Sequence, residues 1–315
     1  MDRRRFLSAA LLAPLAVVRH GANTRNDARR IQPAALALAQ ASPKGNLVYR
    51  NSMVGVFRFA RGDELSFEPG GDPNISPGVS VSRQGLISVA LEGDWDSFGL
   101  AFYDLSGALQ STAQVMRPSL YPFQLGAARF NATGTLLAVP VDELVDASSM
   151  TRIERTLVYD WPSGTPHARI DGFVEPCWAG NELLLLHPET LALHRFDTQF
   201  KDQGPLPGLV VSEPYGSWDV SHDGRYIANV ADASSVMVYD RQNATSYQAV
   251  HDPDSGIHAV TFAPDGRYLA LVARFIEIFV PFVVPCDGAT TAILDNTLTI
   301  GDTLADVRGR IGWAV

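Results

Sequence analysis

Two cysteines in 315 residues, Cys177 and Cys286, are too few and too far apart for a CxxC pair or a thiolate zinc site. They stand in unlike contexts and read as small buried hydrophobes, with a bridge in an oxidising compartment left open. Long apolar runs are missing as well. No stretch of 18 or more apolar residues occurs, so the chain holds no ordinary membrane span. The seven histidines do not gather at metal-ligand spacing. A G-x-S-x-G elbow, an HExxH helix and a Walker-type phosphate loop are all absent. Positive charge is scarce beyond the first 41 residues, which carry seven Arg and two Asp. Residues 42–315 hold 18 basic and 32 acidic residues, a net of −14. A body that acidic is repelled by phosphate backbones, which argues against nucleic acid as a partner.

What is present is turn material and core material. The chain has 26 Gly and 20 Pro, 46% hydrophobic residues and only 19% charged ones, an ordinary globular mix. The length suits one closed all-β domain. At the start, "MDRRRFLSAALLAPLAVV" sets a basic head before a mostly apolar stretch, Leu7–Val18, which is the layout of an export signal. Arg3-Arg4-Arg5-Phe6-Leu7 resembles the twin-arginine pattern, with Asp2 where Ser is usual and Ser8 where Lys is usual. That resemblance implies export of an already folded protein to the periplasm or beyond. Ala39-Gln40-Ala41 before Ser42 forms a small-x-small cleavage site, and nearer cuts around Ala16 or Ala22 stay open. The chain therefore divides into 1–41, export signal and basic linker, and 42–315, a single domain.

Within that domain one turn recurs. "FAPDGRYLALV" contains Gly266 and "VSHDGRYIANV" contains Gly224; "PCWAGNELLLL", "FNATGTLLAVP" and "VSRQGLISVAL" follow with Gly180, Gly134 and Gly85. The steps between these glycines are 42, 44, 46 and 49 residues. A short apolar stretch precedes each glycine and an apolar or alternating run follows it, a strand–turn–strand in which glycine supplies positive φ. Third strands then end in an aromatic and Asp, at Asp104, Asp160, Asp197 and Asp240, where the carboxylate can bond the next turn's backbone. A more polar fourth strand follows, such as "TSYQAV" or "TPHARI".

Four antiparallel strands in about 45 residues is the sequence form of a propeller blade. Gly45 begins a sixth copy that lacks its first strand, and "GRIGWAV" at the other end is a first strand without its turn. The expectation is an all-β, six-bladed β-propeller of four-stranded antiparallel blades, closed by the N- and C-terminal strands in one blade. Ser221–Ala228 and Ala263–Ala270, and more weakly Ser42–Val48, resemble the TolB-type and WD-repeat-like propeller family, whose repeats carry Ser/Ala-Pro-Asp-Gly-x-x-Ile/Leu-Ala. Tyr-Asp or Phe-Asp stands here where WD repeats have Trp-Asp. The resemblance implies the architecture. Family members include binding scaffolds, quinoprotein-like enzymes and domains appended to peptidases, so fold does not choose function.

Insertions point to one face. First-to-second turns are short, whereas second-to-third connections include "EGDWDS" at 92–97 and the longer "PVDELVDASSMTRIER" at 140–155, read as loops. Links between blades on that same face bring Tyr121, Phe123, Phe173, Glu175, Tyr215, Trp218, Asp219 and His258, which with Asp94, Trp95 and Asp96 would line an acidic, aromatic channel mouth. Such a mouth suits a cationic or sugar-like ligand, or a peptide. Trp218 and His258 have a plain structural reading beside the functional one, Trp218 as core and His258 as a hydrogen-bonded structural residue. Glu175 and Asp219 read equally as satisfied channel carboxylates. The first functional reading is an exported, non-catalytic propeller that binds a protein, peptide or small ligand in the cell envelope, as a monomer and without a cofactor. The alternative is a channel-mouth enzyme: a metal-dependent lactonase-like hydrolase using Glu175, Asp219 and Asp94, or a quinoprotein-like dehydrogenase.

Overall fold

The computed structural model describes residues 43–50, 53–69, 79–82, 84–91, 97–116, 120–124, 128–146, 148–211, 218–254, 256–275, 278–286 and 311–315. The segment 1–41 with its export signal, the trio Asp94, Trp95 and Asp96, and Tyr215 lie outside the described residues.

The described chain is all β, and its strands form six antiparallel sheets that are the blades of a propeller. Blade 1 joins Ile311–Ala314 to Asn46–Arg50, Val54–Arg58 and Asp63–Phe67. Blade 2 runs Val79–Val81, Ile87–Leu91, Ser97–Tyr103, Leu109–Met116. In blade 3 the innermost place is shared by Leu120–Gln124 and Arg129–Phe130, both against Leu136–Asp146, followed by Thr151–Asp160 and Thr165–Asp171. Blade 4 is Val174–Ala179, Glu182–Leu186, Ala192–Phe196, Asp202–Val210, and blade 5 is Trp218–Val220, Tyr226–Asp232, Ser235–Asp240, Thr245–His251. Blade 6 has three described strands, Gly256–Phe262, Tyr268–Phe275 and Ile278–Pro285.

Why these sequences stack is clearest in "ELLLL". Successive strand residues point to opposite faces. Leu183 and Leu185 enter the seam with blade 3, while Leu184 and Leu186 enter the seam with blade 5. A sheet apolar on both faces must be covered on both. Six apolar clusters do this, one at each seam between neighbouring blades around the ring. The last seam, where Leu47, Phe57 and Trp313 meet Ala259, Tyr268 and Val272, closes the circle.

Closure is made by both ends of the chain, as the sequence led one to expect. Asn46 pairs with Ala314 and Tyr49 with Ile311, so the C-terminal strand is the innermost of blade 1. Trp313 donates its indole N–H to the Lys44 carbonyl at 2.9 Å. Gly45, at φ +89°, is obligatory here because a Cβ would overlap the Ala314 carbonyl oxygen. All six repeat glycines have positive φ, from 67° to 89°. The third-strand aspartates cap the following turn. Asp104 accepts from the backbone N–H of Ser106 and Ala108, and Asp197 from those of Gln199 and Lys201.

One expectation is corrected. The stretch 140–155 is not a long loop. Leu136–Asp146 and Thr151–Asp160 stay paired from Leu136 opposite Asp160 to Asp146 opposite Thr151, forming an elongated ribbon with a short tip. Pro140 falls where the ribbon's inner partner changes, since Ala138 pairs with Arg129 and Val141 with Gln124. A missing N–H is tolerated where no described strand pairs that edge.

Candidate functional site

The channel wall is built by register. In four successive blades the innermost strand places one residue opposite the fourth position after the turn glycine. Arg129 pairs with Ala138, Cys177 with Leu184, Asp219 with Ala228 and Thr261 with Ala270. All four line a cavity of about 120 Å³. Val81 and Ser82 of blade 2 and Trp313 of blade 1 complete its wall, so every blade contributes. Ser82, Asn131 and Ala263, each accepting from its turn glycine's N–H, also line it. The cavity therefore sits at the face of the short glycine turns, opposite to the face of the inserted connections.

Asp219 is tied into this ring. Its carboxylate accepts from Thr261 Oγ1 at 2.8 Å, from Phe262 N–H at 2.9 Å and from the Cys177 thiol at 3.8 Å. One side chain thereby links blades 4, 5 and 6. Glu175 is buried and accepts from Trp218 Nε1 at 2.9 Å across the seam between blades 4 and 5. It adopts φ +51° at an irregularity in strand pairing between Val174 and Cys177. A non-glycine residue in that region costs about 1–3 kcal/mol and persists only where the surroundings fix it.

Arg129 is different. Its backbone carbonyl accepts from Trp178 Nε1 at 3.0 Å, but among the described residues its guanidinium has no hydrogen-bond or ion-pair partner. Burial works against its charge, and the field of Asp219 and Glu175 acts in the opposite direction. Burial also pushes the Cys177 thiol far above the usual thiol range, so Cys177 is neutral at physiological pH. Asp219 and Glu175 therefore supply the negative field. A thiol held neutral is a poor nucleophile.

Of the residues singled out in the sequence, Glu175, Trp218 and Asp219 come together at the junction of blades 4 and 5, and only Asp219 of these faces the cavity. Trp218 is 2% exposed and belongs to the seam. Phe173 packs against His194 and Phe196 of its own blade rather than toward the axis. His258 lies half-buried near the start of Gly256–Phe262. Phe123 falls in Leu120–Gln124, opposite Asp142. Cys177 and Cys286 lie in different blades and are not joined by a disulfide. Among the described residues no three His, Cys, Asp or Glu side chains converge as metal ligands, and no helix is long and apolar enough to cross a membrane. Arg129 was not legible as a wall residue, and Cys177 read only as a small buried hydrophobe. Arg129 stands five residues before Gly134, as Asp219 stands before Gly224 and Thr261 before Gly266. Counting back from the glycines would have found it.

No protein-family model and no curated protein sequence matches this chain. Solved structures do. TolB from Acinetobacter baumannii aligns over 94% of this chain and 74% of its own, with a TM-score of 0.59 and 12% identity. A functionally unknown protein from Desulfotomaculum acetoxidans aligns over 85% and 84%, at 0.52 and 9%. A protein of unknown function from Bacteroides caccae aligns over 86% and 99%, at 0.52 and 10%. At such identities the shared property is the fold: the chain is a six-bladed β-propeller.

Proposed function

We propose that this chain is an exported, non-catalytic propeller that binds a partner at the turn-face end of its central channel. The observation that carries the reading is Arg129, a charged guanidinium in an axial cavity whose neighbours Asp219 and Glu175 already hold other donors. Uncommitted donors in a concave site are what a binding module offers. Cys177 beside it is held as a neutral thiol, and Asp219 is engaged by two donors of blade 6, so neither is poised as nucleophile or base. The enzyme alternative needs converging metal ligands or a cofactor cradle, and no observation favours it. Export rests on the arginine head of the sequence.

A photo-crosslinking amino acid tests the binding reading. Placed at Ala132 in the cavity wall, it is expected to give a discrete adduct in cells. Placed at exposed Gln203 on the outer strand of blade 4, it is expected to give none. Absence of an adduct from Ala132, or equal labelling from both positions, overturns the reading. Fusion of residues 1–41 to a fluorescent reporter tests export, which is expected to be lost when Arg3 and Arg4 become Lys.

A further inference from the structure

We infer that the axial cavity takes a carboxylate, specifically a small monoanion seated on Arg129, an inference that rests on the binding reading above. The guanidinium presents five N–H donors in a planar fork that matches the two oxygens of a carboxylate. Among the described residues none of these donors is used. Arg129 is half-buried in the cavity wall, so an acceptor seated in the cavity can meet these donors.

Charge at the back of the cavity sets the limit on the ligand. Asp219 lines the cavity itself, and both Asp219 and Glu175 act on Arg129 through space. A dianion such as phosphate meets twice the repulsion from these carboxylates that a monoanion does, which favours the ligand of lower charge. Size and wall chemistry give the rest. A cavity of about 120 Å³ flanked by Trp178, Phe262 and Trp313 accommodates a short or planar apolar body behind the carboxylate. The same chemistry occurs in a free organic acid and in the acidic end of a peptide.

The test is the melting temperature of residues 43–315, with competition followed by ligand-observed NMR. The probes are acetate, propionate and benzoate, the tripeptide Gly-Gly-Gly with a free C-terminus, the neutral amides of each, inorganic phosphate, and methylammonium. The expected result is saturable binding of the carboxylates, at least tenfold weaker binding of phosphate and the amides, and at least tenfold loss in Arg129→Gln. Stronger binding of benzoate than of the peptide assigns a free acid; the reverse assigns a peptide end. Arg129→Lys keeps the charge without the fork and is expected to bind weakly while melting as a folded protein. That variant serves if Arg129→Gln fails to fold. Carboxylate binding that persists undiminished in both variants overturns the site. Binding of amides or methylammonium in preference to carboxylates overturns the ligand class while leaving the binding reading in place. No binding of any probe, together with no crosslink from Ala132, overturns both.

Discussion

Asp219 and Arg129 show how much one position can carry. Asp219 holds Thr261 Oγ1 and the Phe262 N–H, two donors of the neighbouring blade. Replacing it with Ala strands both, at about 1–3 kcal/mol for each donor left unpaired. Asp219→Ala is therefore expected to lower the urea midpoint markedly with an unchanged slope, and Asp219→Asn, which keeps an acceptor oxygen, to lower it less. An unaltered midpoint in Asp219→Ala would show that the seam does not depend on this side chain. Asp219 was visible in the sequence because it stands directly after Trp218 in the aromatic link "EPYGSWD" before the Gly224 turn. Cys177 read as a buried hydrophobe and not as a wall residue, because the irregularity at Glu175 and a tighter turn bring it within three residues of Gly180, where Asp219 is five from Gly224. Trp218 read both as core and as a mouth residue because link aromatics face either seam or axis. Only packing decides between the two, and Glu175 offers its indole a partner inside the seam.

At the scale of the element, the turns govern stability. Gly224 and Gly266 occupy the same place with φ +73° and +68°, but a Cβ on Gly224 would lie 3.1 Å from the Ala179 carbonyl carbon, whereas at Gly266 nothing stands within 4 Å. Both changes to Ala incur the left-handed penalty of about 1–2 kcal/mol. Gly224→Ala adds a clash, so the expected order in equilibrium unfolding is wild type, then Gly266→Ala, then Gly224→Ala. The turn aspartates make the blades sensitive to acid. Ser148 and Ser149 hold the Asp146 carboxyl down at about 2, and Arg225 holds Asp240 well below the usual carboxylate range. Asp104 and Asp232 are lowered by Ser106 and Ser234. A depressed folded pKa contributes stability above the unfolded value near 4, and that contribution fades as pH falls through the folded value. The melting temperature is expected to decline from about pH 4 downward. Asp240→Asn is expected to start lower at pH 7 and decline less steeply; parallel curves would remove Asp240 as a cause. The turns were legible because glycine and aspartate are used there for backbone reasons. The ribbon at 140–155 was not, because Pro140 and the polar tip imitate a loop while the pairing continues past them.

The whole molecule depends on its clasp. Trp313 is 8% exposed, bonds the Lys44 carbonyl and stacks on Phe59 at a ring separation of 4.9 Å. Trp313→Ala is expected to cost about 3–5 kcal/mol, as large aromatic truncations in a core do. Removing 311–315 altogether bares the edge of Asn46–Arg50, and the expected outcome in size-exclusion chromatography is a larger assembly than the full chain forms. A monomeric, cooperatively melting truncation would show that the other seams suffice. The clasp also has a consequence in time. Asn46–Tyr49 leave the ribosome more than 260 residues ahead of the strand they pair with. At about 5–20 residues per second that is a wait of tens of seconds or less. Throughout it Asn46–Arg50 has no permanent neighbour on its inner side, so this β-edge stays open for most of the synthesis. A chaperone or protease that reads nascent chains would meet that open edge, and the completed ring would erase the signal.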